Sequence, residues 1–270
     1  MRALTMSASI LSNVRANVMT EQQQLVCSKA EKCGLQGFCI ELSDQFSSPE
    51  LYSSLSFEDR MNQCLDRELD NMSVKKFNNL YRNSRIDRRI YLESVKPDPA
   101  QGIDANFLRI LKECNYITAI TNIILMGGTG VGKTTLAFAA AVEAMQKGFS
   151  VLYYRMNELS VKLEDLDEYN RLKKKIRNVR LLIIDDWGLE QITETAVVRL
   201  NEIVAVRYNR GPIIFTTQLT KENLKKVSNI RGPAMESLMD KLFKASDCYQ
   251  QIKGESWRGK AGEIRGDGSK

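Results

Sequence analysis

One short segment constrains the fold more than any other. The apolar run Ile123-Ile124-Leu125-Met126 leads directly into Gly127-Gly128-Thr129-Gly130-Val131-Gly132-Lys133-Thr134, and a helical pattern follows from Thr135 until just before Gly148. The spacing G-x-x-x-x-G-K-[ST] between a strand and a helix demands an α/β architecture with a parallel sheet, because the loop must open at the carboxyl edge of a strand. Its chemistry is that of a phosphate cradle. Glycines let successive backbone N–H groups curl around an anion, and the following helix adds the positive end of its dipole. Lys133 is expected to bridge the outer phosphates of ATP and the Thr134 hydroxyl to complete a Mg²⁺ shell, within a nucleotide-binding stretch Gly127 to Thr135.

A second half of the same chemistry follows. Leu181-Leu182-Ile183-Ile184-Asp185-Asp186 reads as an apolar strand ending in two carboxylates. Asp185 is expected to hold Mg²⁺ through water and Asp186 to polarise the attacking water. The chain contains no histidine, which excludes imidazole-dependent triads and leaves carboxylates, cations and metal to do catalysis. Asp186 as an ordinary solvated strand end is the alternative. The run Ile213-Ile214-Phe215 ends in Thr216-Thr217-Gln218, where Gln218 either orients water and senses the γ-phosphate or caps a strand.

Around this core, apolar runs at Val151–Tyr154, Leu181–Ile184 and Ile213–Phe215 alternate with helical stretches, the pattern of a sheet covered on both faces. Upstream, from about Ala30 to Lys96, the pattern is helical. Ser56-Phe57-Glu58-Asp59 has the form of a capping box, followed by Met61, Leu65, Leu69 and Met72 at spacings of three and four. The organisation expected is an extension over 1–29, a small all-α domain over 30–96, a Pro- and Gly-rich linker over 97–102, an ATPase domain over 103–258 with a helical last part, and a disordered tail over 259–270. No stretch reaches the length of a membrane span and no apolar leader is present, so a cytoplasmic protein is expected. The six cysteines include no Cys-x-x-Cys pair and are expected to be reduced, structural thiols rather than metal ligands.

The net charge of +6 permits an anionic partner, and its distribution matters more than its sum. Between Lys75 and Arg89 lie six basic residues (Lys75, Lys76, Arg82, Arg85, Arg88, Arg89) and one acidic residue, Asp87, after a stretch over 58–70 rich in Asp and Glu. On a continuous helix Lys75, Arg82, Arg85 and Arg89 would fall within about 80° and form a stripe able to follow a phosphate backbone. A solvated face is the alternative. A second run, with Lys173, Lys174 and Lys175, lines a DNA channel or merely keeps a helix soluble. No base-reading module is present, so phosphate contacts and sequence-tolerant binding are expected.

Taken together, GGTGVGKTTLA, LLIIDDWGLE, IIFTTQL and KGESWR resemble the IstB/DnaC-like branch of the AAA+ ATPases, and within it the IstB-type transposition helpers. The N-terminal stretch GLQGFCIELSDQ and LSFEDRMNQCLDREL extends the likeness over about residues 30–258. The resemblance implies Lys133 and Thr134 for nucleotide and metal, Asp185 and Asp186 as the Walker B pair, Gln218 as sensor I and Arg258 as the sensor II arginine. Where relatives carry an arginine finger, this chain has Lys241, a point charge without the bidentate fork, with Arg231 as a competing candidate. Slow hydrolysis is therefore expected. The resemblance further implies a homo-oligomer with ATP at subunit interfaces, duplex DNA as partner, and a transposase to assist. The alternatives are a DnaC-type loader of a replicative helicase on single-stranded DNA, and an ATP-gated interaction switch with negligible hydrolysis.

Overall fold

The structure is a computed structural model and describes residues 19–187, 192–220, 222–223, 232–244 and 248–254. It divides into two compact units after Lys76.

The first unit is helical: α1 (Glu21–Lys32), α2 (Gln36–Ser47), a 3₁₀ turn at Pro49–Tyr52 and the greater part of α3 (Phe57–Ser84). Helix α1 begins inside the stretch expected to be an extension. Its start is a capping box, Thr20 accepting from the Gln23 N–H while the Gln23 side chain accepts from the Thr20 N–H. At the start of α3 the expected cap is present: the Asp59 N–H donates to Ser56 Oγ at 3.1 Å, and that hydroxyl donates to the Asp59 carboxylate at 2.8 Å. The buried face of α3 is not the one read from its apolar spacing. Cys64 and Glu68 are buried, Cys64 in a small core with Cys27, Cys39 and Leu42, whereas Leu65, Leu69 and Met72 are exposed. Helix α2 sets this choice: the Phe38 N–H donates to Glu68 Oε2 at 3.1 Å, and Gly37 approaches the Arg67 carbonyl so closely that a Cβ would lie 2.5 Å from it.

The second unit is a three-layer α/β fold. Its elements are α4 (Ala105–Glu113), α5 (Asn115–Thr118), β1 (Ile123–Met126), α6 (Lys133–Gln146), β2 (Val151–Arg155), α7 (Met156–Glu164), α8 (Leu166–Asn178), β3 (Leu181–Trp187), α9 (Glu194–Arg207), β4 (Ile213–Thr217), α10 (Pro233–Lys244) and β5 (Cys248–Gln251). All five strands are parallel, in the order β2-β3-β4-β1-β5. Alternate residues of each strand feed two cores. Ile123, Leu125, Tyr153 and Ile183 pack with α4, α5 and α6, while Ile124, Leu152, Ile184 and Phe215 pack with α7, α8, α9 and α10. Coverage of both faces is the reason the strands are apolar throughout rather than alternating.

Three features depart from the sequence reading. The unit boundary falls after Lys76 rather than at 97–102, because Phe77, Leu80, Tyr81, Ile86, Leu92 and Val95 pack into the core beneath α6. The Pro-rich segment is built into that unit as a 3₁₀ turn, Pro99–Gln101, capped by Asp98 and tied to the end of β5 by the Lys253 N–H donating to the Gln101 carbonyl at 2.8 Å. The last helical stretch ends at Lys244 and is followed by an edge strand, β5, which pairs with β1. The tail over 259–270 lies outside the described residues. No helix among the described residues is long and apolar enough to cross a membrane.

Candidate functional site

The order of the sheet builds the site. Strand β4 lies between β1 and β3, so the loop after β1, the end of β3 and the end of β4 converge at one carboxyl edge. After β1 the chain turns through Gly130 (φ 81°) and Gly132 (φ 100°), left-handed conformations that only glycine adopts freely, and enters α6 at Lys133. Gly127 has a second constraint, since a Cβ there would lie 2.1 Å from the Ile252 carbonyl. Lys133 is buried, and its ammonium donates to the Gly127 and Gly128 carbonyls at 2.9 and 2.7 Å. Within the loop, the Thr129 hydroxyl donates to Gln218 Oε1 at 2.8 Å, so the expected sensor side chain touches the phosphate loop across the sheet edge.

Asp185 is the centre of the polar network. It is buried and accepts from three hydroxyls: Thr134 at 3.0 Å to each carboxylate oxygen, Tyr153 at 3.0 Å, and Thr216 at 2.5 Å. Burial first, and then the Asp185 charge, push the Tyr153 phenol far above its ordinary range, so it remains a donor. Arg155 Nε in turn donates to the Tyr153 oxygen at 3.3 Å. A hydroxyl and a carboxylate within hydrogen-bonding distance at the start of α6 are the hard oxygen donors that Mg²⁺ takes, so Thr134 and Asp185 fit that ion. The next residue is held differently. Asp186 has φ 57° at a break in the β3–β4 register between Ile184 and Trp187; its N–H donates to Thr216 Oγ1 at 3.0 Å and its side chain is exposed. The bulge thus separates two adjacent carboxylates, one buried and locked, one turned to solvent at the same edge.

Both Thr216 and Tyr153 hydrogen-bond to Asp185; the sequence points to Thr216 as one of the polar groups closing the β4 run, but it does not single out Tyr153. Thr216 gives a signal as a polar residue closing an apolar strand; Tyr153 sits in the run VLYYR and gives only that of a phenol on an otherwise buried strand.

The remaining candidates are dispersed. Lys241 is not turned away from its own subunit: its ammonium donates to Asn201 Oδ1 on α9 at 2.6 Å. Arg231 and Arg258 lie outside the described residues. The basic stripe expected on one helix does not form, because α3 ends at Ser84 and Arg85 takes the left-handed φ of 68° that closes it. Arg85 pairs with Glu158 at 2.7 Å and lies 4.4 Å from the Tyr154 ring centre, whereas Arg89 stacks over Tyr81 at 4.5 Å. Arg88 faces Asp87 at 3.7 Å, and Arg82 bonds to Asn79. Lys75 and Lys76 are exposed in the helical unit. The second basic run lies on α8, where Lys173, Lys174 and Arg177 line a groove of about 420 Å³ with Arg210, Asn170 and Val206, and Lys175 is exposed outside it. Lys173 also pairs with Glu202 at 2.6 Å.

With this geometry established, known proteins give the wider context. A match to the family described as IstB-like ATP binding protein spans residues 28–263. The chain belongs to that family. Among curated relatives, this IstB-like protein is 30% identical over 200 residues to the putative ATP-binding protein of insertion sequence IS1162 from Pseudomonas fluorescens, covering 73% of this chain and 86% of the relative. It is 32% identical over 194 residues to the insertion sequence ATP-binding protein y4pL of Sinorhizobium fredii, covering 71% and 79% respectively. Solved structures with the same fold include DnaI (TM-score 0.51, 21% identity, 63% of this chain and 91% of that one) and AMPPCP-bound DnaA from Aquifex aeolicus (TM-score 0.52, 20% identity, 64% and 52%). The ATPase unit of this IstB-like protein thus has the AAA+ P-loop fold.

Proposed function

We propose that this IstB-like protein is an ATPase that assembles on duplex DNA, with ATP between neighbouring subunits, and assists a transposase. The observation that carries the nucleotide part is the apposition of Thr134 and Asp185 at 3.0 Å beside a glycine loop whose lysine is already turned inward. The names of its relatives, which belong to insertion sequences, support the transposition context.

In this reading the loop amides and Lys133 bind the triphosphate, the ammonium exchanging its two carbonyl partners for phosphate oxygens. Thr134 and Asp185 hold Mg²⁺, which when bound offsets the charge that develops on the phosphates during transfer. Asp186 accepts the proton of the attacking water, for which an exposed carboxylate at the sheet edge is suited, while Gln218, tethered to Thr129, orients that water. The basic groove on α8 and α9 contacts DNA phosphates without reading bases.

The test has two readouts. Phosphate release is expected to be slow, to rise with duplex DNA, and to vanish in Lys133→Ala. Binding to matched duplex and single-stranded DNA with ATP, ADP or a non-hydrolysable analogue is expected to show ATP-dependent assembly on duplex. A single-strand preference would point instead to a helicase loader. One observation favours a second reading, a nucleotide-gated switch with negligible hydrolysis: Lys241, the cation at the finger position, is engaged by Asn201 of its own subunit. Phosphate release no higher than in Lys133→Ala, with intact ATP-dependent assembly, would establish the switch.

A further inference from the structure

A buried hydroxyl on a strand needs a reason, because valine would fill the same space without a polar group to satisfy. Strand β4 ends in two such residues, Thr216 and Thr217, both fully buried. Their side chains point to opposite faces of the sheet. Thr217 stitches backbone to backbone: its hydroxyl donates to the Trp187 carbonyl at 2.9 Å and accepts from the Leu219 N–H at 3.1 Å. Thr216 lies on the same face as Ile214, the face that packs with α6. There its hydroxyl donates to Asp185 Oδ1 at 2.5 Å and accepts from the Asp186 N–H at 3.0 Å.

The register explains why one residue meets both members of the carboxylate pair. Ile184 stands opposite Phe215 and Trp187 opposite Thr217, so Asp185 and Asp186 share Thr216 as their partner on β4. That is the two-against-one pattern of a β-bulge. The strain of the bulge falls on Asp186, whose φ of 57° lies in the left-handed region that residues other than glycine rarely adopt. Its N–H, turned out of the ordinary ladder, finds its acceptor in the Thr216 hydroxyl. That hydroxyl has a single proton to give, and the proton goes to Asp185. The two bonds are therefore linked through one oxygen: the N–H that donates to it polarises the O–H toward Asp185. The branch at Cβ restricts χ1, so the strand itself fixes the direction of the oxygen.

We infer that Thr216 is the positioning residue of the carboxylate pair, holding Asp185 toward Thr134 and the metal ion while keeping the bulge that turns Asp186 to solvent. The inference rests on the proposed roles of Asp185 as metal ligand and Asp186 as acceptor of the proton of water, and adds what fixes them relative to each other. Thr216 is fully buried and acts through these two neighbours.

The experiment compares Thr216→Val, which keeps the shape and deletes the hydroxyl, with Thr216→Ser, which keeps the hydroxyl, and with Thr217→Val as a structural reference. Should Thr216→Val not fold, Thr216→Cys, whose thiol is a weaker donor, carries the same comparison. Hydrogen exchange needs no nucleotide: the Asp186 amide is expected to lose protection in Thr216→Val and to keep it in Thr216→Ser. The Mg²⁺ concentration that half-saturates binding of a fluorescent non-hydrolysable ATP analogue is expected to rise about 10-fold in Thr216→Val and to return to within about twofold of wild type in Thr216→Ser, with analogue binding in EDTA unchanged. Thr217→Val should lower the melting temperature and leave that Mg²⁺ concentration where it is. Single-turnover phosphate release should fall about 10- to 100-fold in Thr216→Val, and adding Thr216→Val to Asp186→Asn should lower release no further. An unaltered Asp186 amide, a Mg²⁺ requirement that does not rise or that rises equally in Thr217→Val, or a serine variant that restores neither would overturn the inference. So would a further loss of release on top of Asp186→Asn. A wild type that does not bind the analogue, or an Asp186→Asn variant with full release, would instead sink the proposed roles of the site, and the exchange measurement would still decide on Thr216.

Discussion

Asp185 is held by more hydroxyls than a metal ligand alone needs: Thr134 from the helix, Tyr153 from β2 and Thr216 from β4. Each removes one way for the carboxylate to rotate, and partners of this kind tune a ligand's geometry as strongly as its identity does. Tyr153→Phe keeps the ring that packs edge-on against Phe138 at 5.0 Å and deletes only the donor. The expected result is a rise of about 10-fold in the Mg²⁺ concentration that half-saturates ATP turnover, with analogue binding in EDTA changed by less than about twofold. A purely structural role would instead lower the melting temperature and leave the Mg²⁺ requirement where it is. The position of the carboxylate pair at the sheet edge beside the glycine loop was legible because a polar doublet closing an apolar strand of a parallel sheet must fall at that strand's carboxyl end. Tyr153 was not, because it meets Asp185 only through the pairing of β2 with β3, where Tyr154 stands opposite Ile184 and Arg155 opposite Asp185.

Among the elements, α9 carries the clearest structural device. Arg207, at its last turn, is fully buried and donates to the carbonyls of Ile176, Val179, Arg180 and Pro212, joining the end of α8 to the starts of β3 and β4. Burial pulls its pKa down to about 10, yet four carbonyl acceptors keep the guanidinium useful as a charged fork. Arg207→Ala leaves those acceptors without a donor and is expected to cost about 3 kcal/mol or more in urea unfolding. Arg207→Lys should recover little of this, since a single ammonium cannot reach carbonyls on both sides. A loss below ~1 kcal/mol would mean that water replaces the guanidinium. Helix α3 makes the complementary point about legibility: its cap at Ser56 was readable from local spacing, but which of its faces is buried was decided by the close approach of α2 at Gly37. Helix α1 had a readable signal, Thr20-x-x-Gln23, which weak apolar periodicity concealed.

At the scale of the molecule, the proposed contact with DNA rests on where positive charge is left at the surface. The arginines at 82–89 are largely committed to contacts within that unit, whereas the groove between α8 and α9 gathers Lys173, Lys174, Arg177 and Arg210 at the surface. If this groove tracks DNA phosphates, Lys173→Ala/Lys174→Ala/Arg177→Ala should flatten the slope of log affinity against log salt by about 2 to 3. It should also weaken all duplex sequences alike, because phosphate contacts carry no sequence information. An unchanged slope in a salt titration would assign α8 to solubility alone, and the share of Lys173 is expected to be the smallest because Glu202 already neutralises it.

By itself the sequence determined the parts of this protein that depend on neighbours along the chain. The phosphate loop, the carboxylate pair and four of the five strands are local patterns whose chemistry permits little else. The tertiary structure alone decided what depends on contacts between distant segments. Examples are the insertion of β4 between β1 and β3, the edge strand β5, the bulge that turns Asp186 away from Asp185, and the capture of 77–102 by the ATPase unit. The physical reason is the same in each case: strand pairing and core packing are chosen by the free energy of surfaces that meet only after the chain has folded, and no spacing of three, four or two residues encodes which surface that will be.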